Sequence, residues 1–281
     1  MKTAVQKELS ISDLFKGDLQ LSSPPNIYYE VKKVIDDHRK STSDAAYLIE
    51  KDAALAMRLL KIVNSAFYGF PAQIASIDRA IPLIGTKELQ SIILSTVVIE
   101  RFSDLPGGLI SMHDFWARNL RSALIAQEID CYLGNEYADS IFISGLLHNI
   151  GQLVFFRRIP ELARKVNTQL LAHENPSDTD EINIEEKIIG FNHYQTGAAL
   201  CELWKLPNII SESIRLHPYP DNTETFFKIA AIVRLADCYS KIDKEYDHIV
   251  INSLNISADD MTEIIENAYD KFDEVFQIFY P

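Results

Sequence analysis

Apolar residues recur every three or four positions along almost the whole chain, and strict alternation is rare. That period predicts helices and hardly any strands. Leu55, Leu59, Leu60 and Val63 follow Asp52, a side chain suited to cap a helix start. Ser43-Asp44 opens a short helix before them. Asn64-Ser65-Ala66-Phe67-Tyr68-Gly69-Phe70-Pro71 breaks the pattern. Ser76 then caps Ile77–Ile84, Gly85 stops it, and Thr86 caps a longer helix through Ile92, Ile93 and Val97. Pro106-Gly107-Gly108 is the clearest loop of the first half and marks a boundary between two helical parts.

Beyond that loop, Ser111 precedes a long helix carrying Phe115, Trp116, Leu120, Leu124 and Ile129. A helix from Ala138 follows and ends in His148-Asn149. The polar, proline-containing segment from His173 to Asn183 reads as an exposed loop. Further helices are expected from Asn192 to Trp204, from Pro207 to His217, where proline suits the first turn, and from Phe226 to Tyr239. Ser257–Phe279 reads as one acidic amphipathic helix. Its stripe of Ile264, Ile265, Ala268, Phe272 and Phe276 should dock on the main body. No fixed-period repeat occurs. The fold class is all-α. The expected organisation is an N-terminal extension (1–18), a first helical subdomain (19–108), a second (109–245) and a C-terminal helical extension (246–281).

Composition narrows the function. With 281 residues, 47% of them hydrophobic, the chain can bury a sizeable core. A net charge of −13 disfavours general nucleic-acid binding, which needs a basic surface. The longest apolar stretches, such as Ile92–Ile99, are too short to span a bilayer, and Met1–Leu14 lacks a signal-peptide core, so no membrane association is expected. Cys131, Cys201 and Cys238 form no pair at metal or disulfide spacing, which suits a reduced, cytoplasmic protein.

The candidate chemistry lies in four polar residues on apolar ground. His148 closes the run Gly145-Leu146-Leu147-His148-Asn149-Ile150-Gly151. A His-Asp pair there would be a ready metal ligand set, but Asn149 carries no charge. Asp237 shares a face with Val233 and Ala230, where a carboxylate must be paired or metal-bound. His193 lines up with Gly197, Leu200 and Trp204, and His217 ends its helix before Pro218. Each alone reads better as a satisfied core residue than as a ligand. Spacing by itself does not bring them together. Arg157-Arg158 suits a phosphate or an acidic partner, or is simply a solvated charge pair.

Taken in order, Trp116…Leu147-His148-Asn149-Ile150-Gly151…Glu185…His193…Gly197…Trp204-x-Leu206-Pro207…His217…Ala236-Asp237 resembles the HDOD domain, the HD-related output domain of bacterial signalling proteins. Leu21-Ser22-Ser23-Pro24-Pro25, Leu60-Lys61-Ile62-Val63-Asn64-Ser65-Ala66-Phe67-Tyr68-Gly69 and Ser76-Ile77-Asp78-Arg79-Ala80-Ile81-Pro82-Leu83-Ile84-Gly85 resemble it independently. The likeness runs from about Leu19 to Tyr239. It implies a multi-helix fold with a half like the HD phosphohydrolases, and a role in signal transduction without demonstrated catalysis.

The parent superfamily cleaves phosphate esters with divalent metals held by a His, a His-Asp pair and a distal Asp. The resemblance matches His148 to the paired histidine, Asn149 to its aspartate, Asp237 to the distal aspartate, and His193 and His217 to later histidines that serve a second metal. Arg118 falls in the slot of the first histidine. His113 is five residues away, about 140° around the helix, and faces elsewhere. Arg118 cannot ligate a cation. No catalytic residue and no cofactor is therefore expected. The leading expectation is a non-catalytic module that binds a signalling protein, a nucleotide or another small ligand in the residual cleft. The alternative is a metal-dependent phosphohydrolase with a divalent metal on His148, Asp237, His193 and His217. Two placements of Arg118 stay open: its guanidinium pairs with Asp237 in the metal's stead, or it points to solvent.

Overall fold

The computed structural model describes residues 9–103, 105, 110–174, 176–241 and 253–280, and every regular element among them is helical. Pro106-Gly107-Gly108 and the expected 245/246 boundary lie outside the described residues.

The first part comprises α1 (Ile11–Phe15), α2 (Leu19–Ser22), α3 (Asn26–Asp36), α4 (Thr42–Glu50), α5 (Ala53–Val63), α6 (Ile77–Ile84) and α7 (Thr86–Arg101). Asp52 caps α5 by accepting from the Ala54 and Leu55 N–H groups, and Ser76 caps α6 through Arg79 N–H. Ser41, not Ser43, caps α4, in a reciprocal box with Asp44. Gly85, rather than Thr86, occupies the cap position of α7. The break after α5 is held by Asn64. Its amide donates to the Leu60 and Ile74 carbonyls and accepts from Ile74 N–H, at 2.7–2.9 Å.

The second part is built on α8 (Met112–Tyr132), capped by Ser111. Along it lie α9 (Ile141–Leu147), α15 (Phe227–Ser240) and α16 (Ala258–Phe279). Ile264, Ala268 and Phe276 of α16 are buried. Between α9 and α15 run α10 (Ile150–Arg158), α11 (Pro160–Leu170), α12 (Asp178–Ile188), α13 (His193–Leu203) and α14 (Asn208–Leu216). Buried side chains from both parts form one continuous core.

Two expectations need correction. The helix expected from Ala138 to Asn149 starts at Ile141 and stops at Leu147, and α10 begins at Ile150. The turn between them is made at Asn149 (φ −100°, ψ 9°), so His148 stands at a helix–helix corner. The segment expected to be an exposed loop becomes helical at Asp178, started by a Ser177–Asp180 capping box. Its inward face is charged, so hydrophobic periodicity could not reveal it.

The N-terminal segment is tied to the second part by polar links. Trp204 Nε1–H donates to the Leu21 carbonyl at 2.9 Å. Arg157 Nε donates to Asp18 at 2.6 Å, and Arg158 donates to the Lys16 carbonyl at 2.7 Å. The arginine pair is thus engaged within the chain. Among the described residues, no single helix is long and apolar enough to cross a membrane.

Candidate functional site

Asp237, on α15, is fully buried, and four helices deliver polar groups toward it. Arg118 reaches in from the second turn of α8, and its Nη2 donates to Asp237 Oδ1 at 2.8 Å. His148, at the α9–α10 corner, places Nε2 3.0 Å from the same oxygen. Lys241, one turn beyond Asp237, holds its ammonium 2.6 Å from Oδ2. Of the two placements open to Arg118, the paired one is present, and the Arg118 side chain stays 30% exposed at the rim.

The imidazoles are fixed from behind. His148 Nδ1 lies 2.6 Å from the Gly145 carbonyl, and His217 Nδ1 lies 2.9 Å from the Ile214 carbonyl. A carbonyl only accepts, so both Nδ1 atoms carry protons, and a neutral ring then has its lone pair on Nε2. The Asn149 amide donates to His148 Nε2 at 2.7 Å. His193, at the start of α13, sets Nδ1 2.8 Å from Glu185, which also accepts its backbone N–H. The Nε2 atoms of His193 and His217 and the Oδ1 of Asn149 are buried and make no hydrogen bond among the described residues.

Charge balance sets the proton positions. Burial alone would raise the Asp237 carboxyl, but Arg118, Lys241 and His148 hold it well below the usual range. Burial works against the Arg118 charge too, and the Asp237 carboxylate outweighs it. Burial, aided by nearby His148, pushes His217 well below the usual histidine range. His193 is raised, because Glu185 and Glu181 overcome its burial.

Donor atoms of His148, His217 and Asp237 lie within 4.8 Å of one another, and so do those of Glu181, Glu185 and His193. The second group splits His193 from the other candidate residues. His113 is exposed and stacks edge-on against Phe276, away from the site. Lys241, Asp178 and Glu181 were missed in the sequence. The Asp237-x-x-x-Lys241 spacing, one turn on a helix, was the signal available for Lys241.

The HDOD domain profile matches residues 21–220. An uncharacterized protein of Treponema pallidum (strain Nichols) is 31% identical over 215 residues, 74% of this chain. The chain spans only 39% of that relative's length. A crystal structure of an HDOD domain protein with unknown function from Geobacter sulfurreducens is 24% identical, with a TM-score of 0.68 and 91% of each chain covered. Another, of an assumed phosphohydrolase from Shewanella amazonensis SB2B, is 20% identical with a TM-score of 0.72, covering 96% of this chain and 95% of that one. These structures share the fold. The profile takes in the α8 arginine, the His148-Asn149 corner and both later histidines, and with that span matched the chain belongs to the HDOD family.

Proposed function

We propose that this protein is a non-catalytic signal-transduction module, bacterial and cytoplasmic, that binds a signalling protein or a small ligand through a degenerate HD-type site. The observation that carries this reading is the pair of cations on Asp237: a guanidinium at one oxygen and an ammonium at the other. The donor set does not fit a divalent ion. Asp237 has both oxygens engaged, His148 Nε2 faces the Asn149 amide, and Arg118 offers no lone pair. A dication beside two fixed positive charges would meet repulsion of several kcal/mol as an order of magnitude. Arg118 and Lys241 instead supply the charge that a buried carboxylate needs.

One observation favours the second reading, a metal-dependent phosphohydrolase. His148 and His217 both keep the tautomer of metal ligands, with Nδ1–H on a carbonyl and Nε2 turned toward Asp237. We weigh it below the first because the lone pairs of two of these three groups are already engaged.

Metal content and turnover on phosphate mono- and diesters separate the two. The purified protein should hold well under one divalent ion per chain and turn over no faster than His148→Ala. The double variant Arg118→His, Asn149→Asp should gain metal. A full equivalent of tightly held dication in the unaltered protein, with turnover lost in His148→Ala, would overturn the proposal.

A further inference from the structure

The floor around Asp237 is more basic than one carboxylate requires. Arg118, Arg234 and Lys241 converge there from α8 and α15 and the residue just beyond it. The matching negative charge comes from one helix, α12. Asp178, Glu181 and Glu185 fall at i, i+3 and i+7, on a single face of it. Asp178 receives Arg234 on one oxygen, and Lys241 at 2.8 and 3.0 Å across both. Glu181 accepts from Gln152 at 2.7 Å, and Glu185 holds His193.

The attachment of α12 is unusual for a core helix. Its backbone packs chiefly against α11, and Ile182 and Ile184 are its buried aliphatic side chains. Its other links are polar: the three carboxylates, and a Tyr219 hydroxyl donating to Thr179 at 3.0 Å. An element held by few apolar contacts and many polar ones opens at lower cost than the core. With α12 lifted, three permanent cations would face Asp237 alone. Such a surface binds oxyanions, since guanidinium and ammonium groups recognise phosphate and carboxylate by the same hydrogen bonds.

We propose that α12 is a detachable anionic cover, and that Asp178 occupies a binding site for a small phosphate-bearing ligand built by Arg234 and Lys241. Ligand and Asp178 then compete for the same two cations, and binding frees α12 as the output of the module. The inference rests on the non-catalytic reading, because Lys241 must remain a cation site rather than yield to a metal.

A closed cover lowers apparent affinity by the fraction of time it is open, so removing the competing charge should recover that factor. Calorimetry on Asp178→Asn should give at least about tenfold tighter binding of inorganic phosphate or AMP than the unaltered protein. Adding Arg234→Gln to that variant should abolish the gain. AMP binding tighter than phosphate would assign the site to a nucleotide, and the reverse to the free anion. In the unaltered protein, phosphate should speed amide exchange across residues 178–188, and sodium chloride at equal ionic strength should not. That measurement decides the matter should Asp178→Asn fail to fold. Unchanged affinity for both probes in a folded Asp178→Asn, or unchanged exchange in α12, would overturn the cover. Neither result touches the non-catalytic reading, which metal content and turnover test separately.

Discussion

Asp237 has no water around it, so its charge depends on what four side chains bring. His217 sits in the same enclosure with its ring 5.2 Å from that of His148, and burial keeps it neutral. Its proton affinity is lower folded than unfolded. Below about pH 6.5 the unfolded chain takes up a proton that the folded chain refuses, so acid destabilises the protein. Asp237 adds the same sign lower down. Its carboxyl is held well below the usual range, so its contribution is whole above about pH 4 and is lost as pH falls further. His193 runs the other way, stabilising at low pH and fading as pH rises through its raised value. Urea unfolding from pH 7 to pH 5 isolates the His217 share. His217→Gln should flatten the decline by up to about 1.4 kcal/mol per pH unit, whatever constant offset it adds. Parallel slopes in the two proteins would contradict a buried neutral ring. At this scale the four candidate residues were legible as polar groups on apolar faces. Their partners were not: Lys241 and Asp178 read as ordinary charges until folding set them 2.8 Å apart.

Helices reveal themselves in sequence when their buried side is apolar. Hence α5, α6, α8 and α15 follow the hydrophobic period closely, while α12 hid behind Asp178, Glu181 and Glu185. The α9–α10 corner was hidden for another reason. Residues on both sides of it are apolar and buried, so the period runs on through a break that only backbone geometry shows. Gly151 explains why the corner is tight. A Cβ there would lie 1.9 Å from the His193 carbonyl oxygen and 2.8 Å from Gly197 N. Both are backbone atoms and cannot turn aside, so α10 and α13 would have to separate. Overpacking usually costs about 1–3 kcal/mol, and contact with backbone puts Gly151→Ala at or beyond the upper end. The urea midpoint should fall accordingly. A variant within about 0.5 kcal/mol of the unaltered protein would show that the helices are not pressed together there.

The expected division into a first helical part, a second one and a C-terminal extension becomes a question about cooperativity. Helix α16 runs beside α8 and also touches α5 and α7. Glu274 on it accepts the Ala66 N–H at 2.8 Å, in the loop that follows α5. The Phe67 ring of that loop lies 5.3 Å from Phe142 on α9, and Phe142 lies 6.1 Å from Phe279 on α16. One aromatic chain therefore links the loop, the helix that ends at His148 and the last helix. If that chain couples the two parts, cutting it should let them melt separately. Trp116 and Trp204 are the chain's two tryptophans, and both stand in the second part, whereas far-ultraviolet circular dichroism sees helices everywhere. In the unaltered protein the two probes should give one transition. Phe279→Ala removes a buried ring at a cost of about 3–5 kcal/mol. The circular dichroism curve should then broaden and lose its coincidence with tryptophan fluorescence. Glu274→Ala, which removes one hydrogen bond worth about 1 kcal/mol, should shift both curves together. Coincident curves in Phe279→Ala, merely displaced, would mean that the shared core and not α16 makes the molecule unfold as one.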